Sequence, residues 1–200
     1  IQVMISDKPI SIGVQICEDL WDNEYPQKVT KELVKKGAHV IVNISASPFY
    51  IDRHKSRIQA VQGKVDEFNI PFIYCNLVGA QDELVFDGHS FVINRSNEII
   101  TLGKSFDEDI ILVDFDDTSP IQSSDACEDE QIYHALTLGL KDYFNKTGYI
   151  NAIIGISGGI DSALTCAIAV NGLGAENVIG VAMPSQFSSN HSISDAELLA

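Results

Sequence analysis

Apolar runs and short alternating stretches divide the first half of the chain into strands and helices. An alternating run at 10–16 and the apolar runs at 38–44 and 72–78 predict strands. Between them, the spacing of apolar residues predicts helices at 27–36 and 53–64. Strands that alternate with helices in this order favour parallel pairing, so we expect a layered α/β sheet.

The segment after these elements is predicted to close the sheet with short, hairpin-like strands. Turns at Asp87-Gly88 and Ser96-Asn97 separate these strands. The predicted strands are 84–86, 90–94, 98–102 and 110–114.

A new β-α pattern begins in the last third of the chain. It predicts an amphipathic helix at 132–144, a strand at 151–156, a helix at 162–173 and a buried strand at 177–183. This order predicts a second parallel sheet. Because ligand sites of such sheets gather at the carboxyl ends of the strands, we expect the polar loop at 184–191 to lie beside the preceding turn, where an adenosine would sit.

The stretch between the two patterns is acidic, poor in aliphatic residues and interrupted by Pro120, which is typical of a linker. We therefore predict a first domain over residues 1–116, an acidic linker over 117–130 and a second domain over 131–200. A long surface loop within one domain is the alternative, and the fresh β-α pattern that follows argues against it.

Charge and composition restrict the partners of the chain. The formal net charge is −15 and the pI about 4.5, which argues against nucleic acid or an anionic membrane as the main partner. No apolar run approaches the ~20 residues that span a bilayer, so we expect a soluble protein. The four cysteines lack paired spacing, which fits reduced thiols in the cytoplasm better than disulfides or a zinc site. With no signal-like segment at Ile1 and a helical pattern at the other end, we expect a middle piece of something longer.

The most informative motif is Gly-Ile-Ser-Gly-Gly-Ile-Asp-Ser at 155–162, between an apolar strand and a helix. Its adjacent glycines allow positive φ and close approach of a ligand to the backbone. The helix N-terminus and the hydroxyls of Ser157 and Ser162 supply donors for an anion, most simply a phosphate. Because a carboxylate beside a phosphate is repulsive without a cation between them, Asp161 predicts bound Mg²⁺. The predicted ATP-binding residues are Gly155, Ile156, Ser157, Gly158, Gly159, Ile160, Asp161 and Ser162.

Two other phosphate-binding motifs are excluded because residues that they require are missing. A P-loop requires a lysine where Ile160 stands, and the dinucleotide fingerprint requires separated glycines. An ordinary strand–turn–helix corner is a further alternative. The spelling Ser-Gly-Gly-Ile-Asp-Ser resembles the pyrophosphate-binding loop of the ATP pyrophosphatase superfamily. This resemblance implies adenylation of a carboxyl or carbonyl oxygen, followed by displacement of AMP by ammonia or another nucleophile.

Cys17 stands where the first predicted strand ends and Glu-Asp-Leu-Trp follows at 18–21. A cysteine at a strand-to-helix elbow is exposed and near the positive end of a helix dipole, which favours the thiolate nucleophile. A small buried hydrophobic residue is the alternative. The polar loop at 45–49 leaves a neighbouring strand, so we expect it beside Cys17.

Several segments resemble the glutamine-dependent NAD⁺ synthetase family. Gln-Ile-Cys-Glu-Asp-Leu-Trp at 15–21, Asn-Ile-Ser-Ala-Ser-Pro-Phe at 43–49 and Asp-Glu-Leu-Val-Phe-Asp-Gly-His-Ser at 82–90 resemble its nitrilase-type glutaminase domain. Met-Pro-Ser-Gln-Phe-Ser-Ser at 183–189 and Asp-Ala at 195–196 are similar to its synthetase domain. The resemblance implies a partial nitrilase-like α-β-β-α sandwich, followed by part of a Rossmann-like parallel α/β ATP pyrophosphatase domain.

The same resemblance implies roles for particular residues. Cys17 matches the nucleophile of a Cys–Glu–Lys triad whose Glu and Lys precede it in the family. Ser47 and Arg53 match positions that bind glutamine, and the backbone N–H of Glu18 would then face the oxyanion. For Arg53 the alternative is a solvated charge at the start of a helix.

The function that this resemblance implies is a two-site amidotransferase. Glutamine hydrolysis at Cys17 would supply ammonia, and ATP with Mg²⁺ would activate deamido-NAD for amidation to NAD⁺. The resemblance also implies an internal path for ammonia and a homo-oligomer. One alternative is another ATP pyrophosphatase, such as GMP or asparagine synthetase, against which the cysteine elbow argues. The other is a truncated, catalytically inert fragment that only binds nucleotide or a partner.

Overall fold

The computed structural model describes residues 1–5, 7–114, 119–121, 126–184 and 190–199. The chain forms two compact units. The first unit contains Ile1–Gly79 and Leu84–Glu128, and the second contains Ala80–Glu83 and Asp129–Ala200.

A mixed six-stranded sheet forms the centre of the first unit. The strands up to residue 102, not all of which belong to this sheet, are in chain order β1 (Gln2–Ile5), β2 (Lys8–Ile16), β3 (Val40–Ser45), β4 (Phe72–Asn76), β5 (Val78–Gln81), β6 (Leu84–Asp87), β7 (Phe91–Ile93) and β8 (Ile99–Leu102). The sheet has the order β1-β2-β3-β4-β7-β8, while β5 and β6 form a separate two-stranded sheet. β2, β3 and β4 are parallel, and the outer pairs are antiparallel. The parallel pairing predicted from the β-α-β order is therefore confirmed.

A 3₁₀ segment, Cys17–Glu24, and the helices α1 (Val29–Lys35) and α2 (Arg53–Phe68) connect the parallel strands. α2 continues past the predicted end at residue 64. It ends at Asn69, whose φ of 50° and ψ of 45° are left-handed and whose N–H donates to the Val65 carbonyl oxygen at 2.7 Å. Asparagine tolerates this conformation better than most residues, so it ends the helix where no glycine is available.

The helices cover one face of the central sheet and enclose the core of the first unit. The core residues include Leu20, Ile41, Val61, Val65, Phe72, Tyr74 and Phe91. The buried residues of α2 are at 54, 57, 61, 64 and 65, a spacing that places them on one side of a helix. Three of them, His54, Arg57 and Lys64, are titratable, so this buried helix face is unusually polar.

The opposite face of the central sheet carries exposed apolar side chains. Ile16 and Ile44 are partners across β2 and β3, and they are 66% and 53% exposed. The second β layer of an α-β-β-α sandwich would pack on such a face. The described residues of the first unit supply one helical layer and one sheet layer of that predicted architecture.

The predicted strand at 110–114 is wrong. These residues belong to none of the sheets in the described part of the chain, and Ile110 and Leu112 are 94% and 95% exposed. Their composition favours a strand, but residues with high β propensity form a strand only where a neighbouring strand and a packing surface are available.

The predicted hairpin turn at Asp87-Gly88 is also wrong. The turn between β5 and β6 lies at residues 82–83, where Asp82 has a φ of 51°. Asp87 is instead 3% exposed at the end of β6, because its carboxylate belongs to a buried ion pair. The turn predicted at residues 96–97 is confirmed, since it joins the antiparallel strands β7 and β8.

A buried histidine on α2 makes the stability of the first unit depend on pH. His54 is 7% exposed, and its ring stacks on the ring of His89 with 3.5 Å between centroids. Burial, followed by the charges of His89 and Arg57, lowers the pKa of His54 from 6.5 to about 3. His54 is therefore neutral in the folded protein at neutral and mildly acidic pH.

We expect the free energy of unfolding to fall as the pH is lowered from 6.5 towards 3, because the unfolded chain then binds a proton that the folded chain does not. The contribution of neutral His54 to the free energy of unfolding is fully present above pH 6.5. Below that pH it decreases by at most about 1.4 kcal/mol per pH unit. Denaturant unfolding of wild type and His54→Phe across this range measures the difference in slope. Equal slopes for the two proteins would refute this assignment.

The second unit is a small parallel α/β layer. Its elements are α3 (Glu128–Thr147), β9 (Ala152–Ile156), α4 (Ile160–Leu173), β10 (Val178–Ala182) and α5 (Asn190–Leu199). β9 and β10 are parallel, from the pair Val178 and Ala152 to the pair Ala182 and Ile156, which confirms the predicted pairing. Among the described residues of the chain, no helix is both long and apolar enough to cross a membrane.

The boundary region is described only in part. α3 begins at Glu128 rather than at the predicted residue 132, so its first turn falls within the stretch assigned to the linker. Residues 115–118 and 122–125 of that region lie outside the described residues. The limits of the two domains and of the linker at 117–130 stay a prediction.

Candidate functional site

Cys17 lies at the junction of β2 and the 3₁₀ segment, as the elbow prediction requires. Its φ of 43° is a conformation that non-glycine residues rarely adopt, and such conformations concentrate at functional sites. The Asp19 carboxylate accepts a hydrogen bond of 2.7 Å from the Ile16 N–H and so closes the turn around Cys17. The cysteine is partly exposed, which does not fit the alternative of a buried hydrophobic residue.

The buried side chain of Asp22 anchors the segment that follows Cys17. Its carboxylate accepts hydrogen bonds from the Val29 N–H at 2.9 Å and from Nζ of Lys64 on α2. The side chains of Asp22 and Lys64 are 2% and 8% exposed. Nζ of Lys28 also donates to the Asp22 carbonyl oxygen. The elbow is therefore tied to both α1 and α2, through residues that the sequence did not single out.

The side chain of Glu18 is engaged within the 3₁₀ segment. The Tyr25 hydroxyl donates to Oε1 of Glu18 at 3.1 Å, and this hydrogen bond, with the carboxylate charge, raises the pKa of Tyr25. The backbone N–H of Glu18 lies in the first turn of the segment, where N–H groups lack partners within the helix. This is the N–H group that, by the family resemblance, would face the oxyanion.

Arg53, at the start of α2, lies between two aromatic rings. The carbon of its guanidinium is 4.5 Å from the ring centroid of Trp21 and 5.1 Å from that of Tyr50. Nη1 donates to the Tyr50 hydroxyl at 2.8 Å, and Nε donates to Oγ of Ser47 at 3.2 Å. Because Trp21 belongs to the segment that begins at Cys17, the predicted glutamine-binding residues lie at the elbow. A stacked and hydrogen-bonded Arg53 is not the solvated charge of the alternative interpretation.

A buried cation behind Ser47 was missed by the sequence reasoning. Arg57 is 0% exposed, and its Nη1 donates to both carboxylate oxygens of Asp87 at 2.8 and 2.9 Å. Its Nε donates to Oγ of Ser47 at 3.2 Å, and its Nη2 donates to the Ser47 carbonyl oxygen at 2.7 Å. Two signals were available. Arg57 lies one helical turn after Arg53, and Asp87 lies in the family-like segment at 82–90.

In the second unit, the glycine–serine loop lies between β9 and α4. Gly158 has a φ of 76°, which explains a glycine there, and Gly159 is the N-cap of α4. Oγ of Ser162 accepts a hydrogen bond from the Ser157 N–H at 3.2 Å and donates to the Gly159 carbonyl oxygen at 2.9 Å. The Gly159 N–H donates to Oγ of Ser157 at 3.3 Å. These exposed bonds tie the loop to the first turn of the helix.

Asp161 is exposed in the first turn of α4, beside this loop. Within the described residues, no group of three or more His, Cys, Asp or Glu side chains is arranged to hold a metal ion. A cation at Asp161 would therefore take its other ligands from phosphate oxygens and water. Mg²⁺ is commonly bound in this way, through one or two carboxylates together with a nucleotide. The donor set thus fits the predicted Mg²⁺.

A small cavity lies at the carboxyl ends of β9 and β10. Its volume is about 140 Å³, and it is lined by Ile156, Ser157, Ala182, Met183, Pro184, Ile193 and Ala196. Of the side chains that line it, only that of Ser157, which belongs to the glycine–serine loop, is polar. Residues 185–189 of the predicted polar loop lie outside the described residues. The position of the adenosine stays a prediction.

The first unit, with a cysteine elbow on a mixed sheet, defines a protein of the carbon–nitrogen hydrolase class. The family model described as "Carbon-nitrogen hydrolase" matches residues 2–120, and the chain belongs to this family. The model described as "NAD synthase" matches residues 132–200.

Known proteins similar to this chain combine the two parts. A glutamine-dependent NAD(+) synthetase from Synechocystis is 43% identical over a gapped alignment of 206 positions, which covers 96% of this chain and 37% of that protein. The Thermotoga maritima protein of the same name is 37% identical over a gapped alignment of 228 positions, which covers 96% of this chain and 39% of that protein. The chain therefore spans less than two-fifths of the length of these relatives.

Solved structures agree with this similarity. The glutamine-dependent NAD⁺ synthetase from Acinetobacter baumannii, determined in complex with ADP, has a TM-score of 0.84 and 35% identity, over 98% of this chain and 37% of that one. The enzyme from Cytophaga hutchinsonii has a TM-score of 0.72 at 18% identity, over 98% of this chain and 37% of that one, and supports the fold alone. The predicted fold class, part of a nitrilase-like domain followed by part of a parallel α/β NAD synthase domain, is confirmed.

Proposed function

We propose that this chain forms the region of a glutamine-dependent NAD⁺ synthetase that contains the glutaminase nucleophile and the pyrophosphate loop. One observation carries the proposal: a cysteine elbow beside a stacked arginine and a glycine–serine loop before a helix occur in one chain. The two family matches support the same pairing of activities.

In the first unit, the thiolate of Cys17 attacks the carbon of the glutamine side-chain amide. The proton that left the thiol is delivered to the nitrogen as the C–N bond breaks, so ammonia leaves and a glutamyl thioester remains. Water then cleaves the thioester to glutamate and restores the thiol. The backbone N–H of Glu18 stabilises the negative oxygen of each tetrahedral intermediate.

The free edge of Arg53 suits the α-carboxylate of the substrate. Its Nε–H and one Nη1 hydrogen are taken by Ser47 and Tyr50. Within the described part of the chain, the second hydrogen of Nη1 and the hydrogens of Nη2 are left for a ligand, and one hydrogen of each nitrogen forms the fork that binds a carboxylate in a bidentate manner. The Ser47 hydroxyl completes the part of the site that holds the amino-acid head.

In the second unit, a carboxylate oxygen of deamido-NAD attacks the α-phosphorus of ATP, and pyrophosphate leaves. The loop at 155–162 holds the pyrophosphate with backbone N–H groups and the hydroxyls of Ser157 and Ser162, which exchange their hydrogen bonds within the loop for bonds to the ligand. Mg²⁺ held by Asp161 would supply charge neutralisation on the phosphates. Ammonia then attacks the acyl carbon and AMP leaves, which gives NAD⁺. The carboxylate of deamido-NAD must be activated because ammonia cannot displace an oxide ion, which is a poor leaving group.

The proposal extends to the setting of the enzyme. Its partners are the small molecules glutamine, ATP and deamido-NAD, and it works in the cytoplasm as a homo-oligomer. A net charge of −15 supports the exclusion of nucleic acid and anionic membranes as partners.

The proposal is tested by product analysis with the full-length protein that contains residues 1–200. With deamido-NAD, ATP, Mg²⁺ and glutamine labelled with ¹⁵N in the amide, each turnover should yield one NAD⁺, one AMP, one pyrophosphate and one glutamate, with ¹⁵N in the nicotinamide amide. Formation of ADP and phosphate would contradict adenylation. Turnover of another acid in place of deamido-NAD would favour a different ATP pyrophosphatase.

The isolated 200 residues provide the comparison for the inert-fragment alternative. Calorimetry with ATP and Mg²⁺ and a glutaminase assay report nucleotide binding and hydrolysis separately. Binding without hydrolysis would mean that the isolated chain only binds nucleotide, while product formation by the full-length protein decides its activity.

A further inference from the structure

Ser47 lies at the junction of two arginine side chains. Its Oγ accepts one hydrogen bond from Nε of Arg53 and one from Nε of Arg57, each 3.2 Å long. A hydroxyl oxygen has two lone pairs, so both are used. Ser47 thus connects Arg53, which stacks on Trp21 beside the elbow, to the buried Arg57.

The position of Ser47 is itself fixed by buried groups. Its N–H donates to Oδ1 of Asn76 at 2.9 Å, and its carbonyl oxygen accepts from Nη2 of Arg57 at 2.7 Å and from Nδ2 of Asn76 at 3.3 Å. Ser47, Arg57, Asp87 and Asn76 are 2%, 0%, 3% and 8% exposed. Buried polar networks in which every member is paired are rigid, so Ser47 has little freedom to move.

Arg57 is fully committed to this network. One Nη2 hydrogen bonds to the Ser47 carbonyl oxygen and the other to that of Pro48 at 3.1 Å. Its Nη1 faces both oxygens of Asp87, and its Nε faces Ser47. Each of the three guanidinium nitrogens of Arg57 therefore donates to an acceptor within this network. Because Arg57 is 0% exposed, it cannot contact the substrate, so any effect on the site must act through the groups it bonds, chiefly Ser47.

We propose that Arg57 and Asp87 are positioning residues of the glutamine site. The ion pair fixes Ser47, and Ser47 holds the Nε edge of Arg53, so that the opposite edge of the guanidinium faces the α-carboxylate. This inference rests on the proposed function of Arg53. The arrangement matters because an unanchored arginine has many rotamers, and ordering them on binding costs affinity.

The test measures glutamine binding in full-length protein that carries Cys17→Ala, so that no turnover occurs. The pair is removed by the double substitution Arg57→Met with Asp87→Leu, which leaves no uncompensated buried charge. Asp87→Asn is the second variant. We expect the Kd for glutamine to rise about tenfold or more in each, because misplacing a binding group is costly. Lys35→Gln, which removes one partner of an exposed ion pair on α1, is the control and should leave the Kd unchanged.

A double-mutant cycle with Arg53→Ala separates positioning from general damage to the fold. If the pair acts through Arg53, removing it from the Arg53→Ala protein should weaken binding by clearly less than in the protein that keeps Arg53, since only the contribution of Ser47 is left to lose. An unchanged Kd on removal of the pair, or losses that add to that of Arg53→Ala, would overturn the inference. Synthesis from ammonium salts should stay within about twofold of wild type, which shows that the second unit is intact.

A readout that does not use glutamine keeps the inference separate from the proposed function. We expect hydrogen exchange at Nε–H of Arg53, followed by NMR, to be at least about tenfold faster once the pair is removed, because the bond to Ser47 is then lost. Unchanged exchange would overturn the positioning role. Faster exchange in a protein that binds no glutamine would uphold that role and refute the substrate assignment instead.

Discussion

Replacing Cys17 with alanine is expected to abolish NAD⁺ synthesis from glutamine and to spare synthesis from ammonium salts. The loss with glutamine should be about 10³-fold or more, because no other group at the elbow can form the thioester. Synthesis from ammonium should stay within about twofold of wild type, since the adenylation site does not use this thiol. NAD⁺ formation by the full-length protein, followed with each nitrogen donor, measures both rates.

The substitution is well suited to this test because it changes little else. Alanine keeps the Cβ of Cys17, and the bond between the Ile16 N–H and Asp19 does not involve the thiol. Cys127→Ala is the matched control, because Cys127 is also free and is exposed. It should leave both rates unchanged. Glutamine-driven synthesis that survives in Cys17→Ala, or an equal loss with both donors, would show that the nucleophile is assigned wrongly.

Much of the fold follows from local patterns in the sequence. The runs around Val14, Val42 and Ile73 are apolar and are separated by amphipathic helices, and the observed parallel strands β2, β3 and β4 match them. The same reasoning found β9 and β10. It failed at 110–114, because an apolar run shows strand propensity but does not show whether a partner strand is present.

The parts of the site that the sequence reveals are those with a local signature. The elbow at Cys17 and the glycine–serine loop are both strand–turn–helix motifs whose residues are close in the chain. Arg57 and Asp87 are 30 residues apart, and nothing in the surrounding pattern marks them as partners. Lys64 and Asp22 are 42 apart. Charged residues on a helix are normally read as its solvent face, so buried ion pairs are hidden from this kind of reasoning.

The polar face of α2 connects these hidden pairs to the site. Arg57 bonds to Ser47, and Lys64 bonds to Asp22 in the segment that begins at Cys17. One helix therefore fixes both Ser47, to which Arg53 donates a hydrogen bond, and the elbow at Cys17. Breaking a buried ion pair by removing one partner costs about 3–5 kcal/mol, so these residues couple the stability of the first unit to the geometry of its site.

Replacing Asp161 with alanine is expected to impair NAD⁺ synthesis from glutamine and from ammonium salts alike. Both routes need the adenylate, and Asp161 is the carboxylate beside the proposed pyrophosphate loop. We expect a loss of about 10²–10³-fold with either donor, the size found when one group that stabilises developing charge is removed. Rates measured as a function of Mg²⁺ concentration should also show a weaker dependence on the ion. Glutamine hydrolysis at Cys17 should continue.

The fold should tolerate this change, because Asp161 is exposed and its side chain acts only at the start of α4. Losing a favourable charge at a helix N-terminus costs about 0.3–1 kcal/mol, too little to unfold the second unit. Glu176→Gln removes another exposed carboxylate of the same unit and is the matched control, with no expected effect on either rate. The two substitutions thus distinguish the sites. Cys17→Ala should lower the rate of synthesis from glutamine alone, and Asp161→Ala should lower the rate with either nitrogen donor. Full activity of Asp161→Ala with ammonium would show that this carboxylate is not part of the ATP site. It would also contradict the predicted position of Mg²⁺.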